Sequence, residues 1–215
     1  MIRQNKRSWT SYACALALSV GALHAQAGDA ALYAPQAPKG SAFVRAYNAG
    51  NSELSVSVGN TDLSDIAPLG SSDFSYLPAG SYSAQVGSNR LPVKLDAGRY
   101  YTLVNQPGSE PKLVSEAAFS NKHKAMLRVQ NLSDRSLSLK TADGKAAVVD
   151  KVAPDGNGER EVNPVKVSLA LFDGDNKISD LKPVALTRGE VVSLYITGSG
   201  SQLSPVWVKR PARNE

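Results

Sequence analysis

The chain has 215 residues, 24 basic and 19 acidic, with a formal charge of +5 and a single cysteine, Cys14. That length holds one large or two small domains, and one cysteine excludes a disulfide framework or a thiolate metal site within the chain. The charge excess is partly local, because Arg3, Lys6 and Arg7 stand before a mostly apolar or small run, 9–23, that ends in Ala25-Gln26-Ala27.

That three-part pattern predicts a signal peptide over 1–27, cleaved after Ala27. The apolar run falls short of the about 20 residues that cross a bilayer comfortably. Cys14 sits early in it, after Ser11-Tyr12-Ala13, which does not fit a lipid-anchored cysteine. After cleavage, 21 basic residues face 19 acidic ones, +2 over 188 residues, with no cysteine left. Most of the support for nucleic-acid binding goes with the leader. No later run is apolar enough to span a membrane, so a soluble exported product is expected.

Residues 28–40 form a Pro- and Ala-rich arm, in which Pro35 and Pro38 disfavour helix and sheet interior. It reads as an ordered lead-in to the first domain, or alternatively as a docking peptide anchored by Leu32 and Tyr33. Short β-like runs follow at 43–47, 54–58, 73–77, 82–86, 90–95 and 100–105, with turn signals such as Leu77-Pro78-Ala79-Gly80 between them. Residues 107–122 are polar and contain Pro107, Gly108 and Pro111, which reads as a linker with one short apolar piece, Lys112-Leu113-Val114. Further runs lie at 125–130, 137–141, 147–149, 165–172, 183–186, 191–197 and 205–209.

The second set repeats the first. Ala42 to Val58 aligns without a gap on Ala125 to Thr141, so that Arg45 matches Arg128, Asn48 matches Asn131, and Leu54-Ser55 matches Leu137-Ser138. Ile66-Ala67-Pro68 answers Val152-Ala153-Pro154, and Pro92-Val93-x-Leu95-x-x-Gly98 answers Pro183-Val184-x-Leu186-x-x-Gly189. The offset drifts from 83 to 91 residues, which places insertions in loops. The expected fold is all-β: two tandem antiparallel β-sandwich domains, immunoglobulin-like or carbohydrate-module-like, at 41–106 and 123–210, arising from an internal duplication. Copies of about 70 to 90 residues bury modest cores, so the two are expected to support each other.

Period-two alternation assigns faces. Val44, Ala46, Leu127 and Val129 point inward, as do Leu54, Val56, Val58, Leu137, Leu139, Tyr82, Ala84, Val86, Val165, Val167, Leu169 and Leu171. Phe43, Arg45 and Tyr47 then share an outer face, with Arg128 at the matching place in the second copy. Two rings flanking a guanidinium suit a sugar face and a carboxylate, so Phe43, Arg45, Tyr47 and Arg128 are the candidate partner- or polysaccharide-binding residues. The competing reading is that another strand, the arm or the second domain covers them, since aromatic rings are buried more often than displayed.

Catalytic patterns are missing. Past the leader the only histidine is His123, in the linker, and Gly70-Ser71-Ser72-Asp73 and Gly198-Ser199-Gly200-Ser201 read as turns instead of nucleophile elbows. Asp173-Gly174-Asp175-Asn176 lacks the spacing of a calcium loop and reads as a hairpin turn. Gly156-Asn157-Gly158 lacks the third glycine of a dinucleotide site, and Asn131-Leu132-Ser133 fits the short acceptor sequon. No catalytic residue, metal or cofactor is expected.

Longer strings carry a resemblance. Leu-Tyr-x-Pro-x-Ala-Pro-Lys-Gly-Ser-x-Phe-Val-Arg (32–45), Ser-Asp-Phe-Ser-Tyr (72–76), Tyr-Tyr-Thr-Leu-Val-Asn-Gln (100–106) and Arg-Val-Gln-Asn-Leu-Ser-Asp (128–134) resemble the AlgF family of alginate biosynthesis proteins in pseudomonads and relatives. So do Leu-Lys-Thr-Ala-Asp-Gly-Lys (139–145) and 158–171. The resemblance implies a periplasmic accessory or adaptor protein for O-acetylation of alginate, a mannuronate and guluronate polymer. The implied partners are a membrane-bound O-acyltransferase and periplasmic O-acetyltransferases, with the polymer itself as a further candidate. Two other classes stay open: a carbohydrate-binding module for polyuronate, and a direct acetyl carrier or acetyltransferase. Met126 and Gln130 stand where the first copy has Phe43 and Tyr47, an asymmetry that favours protein–protein use of at least one domain.

Overall fold

The computed structural model describes residues 37–210. The leader, Cys14 and most of the arm, including Leu32 and Tyr33, lie outside the described residues. Among the described residues there is no helix, and hence none long and apolar enough to cross a membrane.

The first half contains β1 (Ser41–Asn48), β2 (Leu54–Val58), β3 (Thr61–Ile66), β4 (Ser75–Pro78), β5 (Gly80–Val86), β6 (Asn89–Leu95), β7 (Tyr100–Asn105) and β8 (Lys112–Glu116). They form two sheets, β3-β2-β5-β6 and β4-β1-β7-β8. The second half contains β9 (Ala125–Asn131), β10 (Leu137–Thr141), β11 (Ala147–Val152), β12 (Asn157–Val162), β13 (Val165–Val167), β14 (Leu169–Asp173), β15 (Asn176–Asp180), β16 (Val184–Leu186), β17 (Val191–Ser199) and β18 (Gln202–Arg210). Its sheets are β11-β10-β14-β15 and β12-β9-β17-β18, with a short β13-β16 pair. Two tandem all-β sandwiches are therefore present. Each contains one parallel pairing within otherwise antiparallel sheets: β1 with β7, and β9 with β17.

The duplication extends to backbone conformation. Asp65 and Lys151 have φ of 57° and 48°, and Leu69 and Asp155 have φ of 55° and 54°. Such values cost L-residues energy, and both pairs recur at the same offset, flanking the repeated Ala-Pro turn. Gly98 and Gly189 both have φ of 74°, and each donates its N–H at 2.8 Å across to the start of the first strand of its sandwich, to Ser41 and Lys124. The repeated asparagines explain another match. Asn48 Nδ2 donates to the carbonyls of Ser52 and Ile66 at 2.7 and 3.0 Å, and Asn131 Nδ2 donates to those of Arg135, Val152 and Ala153 at 2.8, 2.9 and 3.0 Å. Each thus ties the turn after its strand to the end of the third strand. Asn131 of the sequon is fully buried and committed to these bonds.

Each sandwich has its own core. Val44, Ala46, Leu54, Val56, Val58 and Val86 meet in the first, and Leu127, Val129, Leu137, Leu139, Leu169 and Leu171 in the second, on the faces that alternation predicts. Val165 differs: it is 49% exposed, because β13 is a three-residue strand paired only with β16 at the rim. The expected linker also differs. Lys112–Glu116 adds β8 to the edge of the β1-β7 sheet, with Leu113 packed on the first core and Val114 on a third cluster.

That third cluster joins the halves. Tyr47, Val104, Leu132, Tyr195 and Val208 are buried together. The β4-β1-β7-β8 sheet thus packs its second face against the second face of β12-β9-β17-β18. The strands β1, β7, β9 and β17 are covered on both sides, which is why nearly every residue in them is buried.

Replacing Asn131 by Ala would leave three carbonyls without their donor. A loss of about 2–3 kcal/mol is expected in urea unfolding, with a similar loss for Asn48→Ala and little effect of Asn121→Ala on the exposed connection.

Candidate functional site

The seam between the inner sheets holds the most concentrated charge in the described structure. Strand register places Glu116 there: it pairs with Tyr100, which pairs with Phe43. Its side chain is wholly buried. Arg128 Nη1 donates to Glu116 Oε2 at 2.9 Å, and the Tyr195 hydroxyl donates to Oε1 at 3.2 Å. Arg45 Nη2 and Arg210 Nη1 lie 3.8 and 3.7 Å from the same carboxylate. Arg128 also reaches Glu159 Oε2 at 2.8 Å through Nε, and that second carboxylate is half exposed. Arg45 Nε donates to Thr102 Oγ1 at 3.1 Å, and its Nη1 to the Lys209 carbonyl at 3.4 Å.

Aromatic rings frame this centre. Tyr47 stacks on Tyr195 with centroids 4.8 Å apart. Phe43 stacks on Tyr100 at 4.7 Å, and Phe74 meets Tyr100 edge-on at 5.1 Å. Arg45 lies 4.5 Å from the Phe74 ring centroid and Arg210 lies 3.9 Å from that of Tyr100, both within cation–π range. Burial pushes the Tyr47 phenol up to about 12, helped by Tyr195. It does the same to Tyr195, with the Glu116 charge adding to the effect. Burial pulls the Arg210 guanidinium down to about 10, so it stays charged at neutral pH.

The four predicted binding residues do come together, but as interior. Arg45 is 1% exposed, Tyr47 is 0% and Arg128 is 3%, while Phe43 is half-buried. The open stripe expected from alternation is instead the face on which the second sandwich sits. Of that aromatic row, Tyr76, cross-strand from Phe43, is the member left open, at 42%. Sequence reasoning missed Glu116, Tyr195 and Arg210. A signal existed in Tyr100-Tyr101-Thr102-Leu103-Val104, whose apolar character on both faces implies two-sided cover.

His123 is exposed between β8 and β9, and its backbone N–H donates to the Asn121 side chain at 3.0 Å. Among the described residues no three His, Cys, Asp or Glu side chains gather as metal ligands. Asp173 and Asn176 pair across a two-residue turn in which Gly174 has φ of 59°, which makes this stretch a hairpin.

The family model described as "Alginate O-acetyl transferase AlgF" matches residues 15–193. Curated relatives named "Alginate biosynthesis protein AlgF" include one from Pseudomonas aeruginosa, 68% identical over 97% of this chain and 96% of its own length. Another, from Azotobacter vinelandii, is 64% identical over 87% and 86%. Separate solved structures of the C-terminal and N-terminal domains of AlgF from P. aeruginosa are 68% and 70% identical, cover 41% and 38% of this chain and 100% and 99% of their own chains, and give TM-scores of 0.39 and 0.34.

Removing the shared carboxylate by Glu116→Ala leaves buried guanidinium groups uncompensated and is expected to cost about 3–5 kcal/mol, measured by denaturant unfolding. Arg45→Ala, which an outward side chain would tolerate within about 0.5 kcal/mol, is expected to destabilise clearly as well. The phenols add a pH signature. The unfolded chain ionises these tyrosines near 10 and the folded one near 12, so their contribution to stability falls as pH rises between those values. Tyr47→Phe and Tyr195→Phe should each flatten that fall, read from melting temperatures across alkaline buffers.

Proposed function

The chain belongs to the AlgF family and takes part in alginate biosynthesis and O-acetylation, and we propose that it does so as a non-catalytic adaptor. In this reading it works in the periplasm after loss of residues 1–27, and links the membrane-bound O-acyltransferase to the periplasmic O-acetyltransferases, with the polymer as a candidate third contact. The observation that carries this reading is the way the duplicated sandwiches are joined. Their equivalent inner sheets are used up in one shared seam, while their outer sheets differ. The first outer sheet has a continuous β5-β6 hairpin bearing Ser81, Ser83, Arg90 and Lys94. The second breaks the corresponding strands into β13/β14 and β15/β16. One joined body with two unlike faces suits two unlike partners.

The absence of nucleophile-and-base logic in the sequence supports the same reading. General acid–base chemistry needs a base within about 2.6–3.2 Å of the proton that it removes, and His123 stands exposed in a connection. The buried Glu116 carboxylate and the guanidinium groups of Arg128 and Arg210, which could stabilise charge in a reaction, face one another across the seam.

The test is pull-down of the purified protein with each acetylation component, together with alginate acetylation in cells carrying His123→Ala. Capture of the membrane acyltransferase and at least one periplasmic acetyltransferase is expected, with acetylation unchanged at equal protein level. Loss of acetylation at normal abundance would overturn the adaptor reading in favour of direct acetyl transfer. Retention on deacetylated alginate with no protein partner would favour a polyuronate-binding module.

A further inference from the structure

The seam is built from equivalent positions, but its charges are not equivalent. Arg45 and Arg128 occupy the same place in the two sandwiches. Glu116 and Arg210 do so too: Glu116 pairs with the residue opposite Phe43, and Arg210 with Val191, the residue opposite Met126. Arg128 therefore meets a carboxylate, at 2.9 Å. Its counterpart Arg45 meets the end of β18, where its Nη1 bonds the Lys209 carbonyl and the next residue is Arg210. Arg45 is among the charges that hold the Arg210 guanidinium down.

These two guanidinium groups are only partly satisfied. Arg45 Nη2 and Arg210 Nη1 are buried and have no hydrogen-bond acceptor among the described residues. Both approach Glu116, at 3.8 and 3.7 Å, which is ion-pair range but beyond hydrogen-bond length. Their flat sides are taken by Phe74 and Tyr100, two rings in edge-to-face contact. What remains for a ligand is one nitrogen of each: Nη2 of Arg45, whose Nε and Nη1 already donate to Thr102 and Lys209, and Nη1 of Arg210. Three guanidinium groups here face one buried carboxylate, with the half-exposed Glu159 as a second. Buried donors without acceptors are rare in native proteins, and bound water or an ion commonly supplies the acceptor.

We propose that Arg45 and Arg210 together bind a small inorganic anion, chloride, which stands for the first sandwich's arginine where the Glu116 carboxylate stands for the second's. The positive excess selects an anion over water. The enclosure selects a small one, because the side chains of Arg45 and Arg210 are 2% and 9% exposed, so a polymer carboxylate would have to part the sheets to reach them. Chloride in this place makes the seam, and with it the joining of the two sandwiches, dependent on the anion.

The test compares thermal unfolding of the whole protein in sodium chloride and sodium gluconate at equal ionic strength. A ligand that binds only the folded state raises stability with its concentration, and a saturable rise of about 2–4 °C in chloride over gluconate is expected for a chain of this size. Arg210→Gln, which leaves Arg45 free to pair with Glu116, should abolish the difference. Crystals soaked in bromide should show anomalous density within hydrogen-bond distance of Arg45 Nη2 and Arg210 Nη1, and this decides the matter if the variant does not fold. Equal melting in the two salts, or an ordered water in place of bromide, overturns the proposal.

Discussion

The structure turns on a carboxylate that several arginines share across a sheet-to-sheet seam. Each sandwich alone would present one face of its inner sheet to water, and the residues there would be ordinary surface. Bringing the two faces together removes Arg45, Arg128, Arg210 and Glu116 from solvent at once. Desolvating charges costs several kcal/mol per ion unless geometry and hydrogen bonds compensate. Glu116 supplies part of that compensation, and aromatic faces supply more. The apolar contacts of Tyr47, Val104, Tyr195 and Val208 beside the charges provide the driving force for contact. The charged groups set its register, since a shift of one residue would exchange the faces of β8 and carry Glu116 into the first apolar core.

Duplication followed by divergence accounts for this asymmetry. Two identical sandwiches would set like charges against one another wherever an arginine met its own counterpart. Glutamate at 116 opposite arginine at 210 breaks that identity at the central pair. Thr102 and Ser193 hold equivalent places beside the two arginines, yet only the threonine accepts a bond from its neighbour, Arg45. The outer faces diverged as well, through the break that splits the β13/β14 and β15/β16 strands. The repeated parts, such as Asn48 and Asn131 and the glycines at 98 and 189, are those that the backbone path requires.

In this protein of alginate O-acetylation, the two sandwiches are joined through their inner sheets. The exposed residues lie on the loops and outer sheet faces because the inner faces are already occupied. Tyr76 and the half-buried Phe43 sit where the seam opens to solvent, which makes that rim an extension of the interior aromatic row.

Much of the fold was legible in the chain itself. Period-two alternation located most strands and assigned the inward residues of both cores, and the matched Arg, Asn and Ala-Pro positions disclosed the duplication. These signals are local, because a half-buried strand writes its inside and outside into successive residues. The short polar strands β3, β12 and β15 carry too little apolar contrast to be read that way, and β8 was hidden among prolines and glycine. The fate of the Arg45 face was decided only by tertiary structure. An arginine between two aromatic residues reads the same whether solvent, a ligand or a second sheet lies above it. Only the packing of one sandwich on the other, which brings in residues as far as 164 positions away, turned that apparent surface into a buried charge centre.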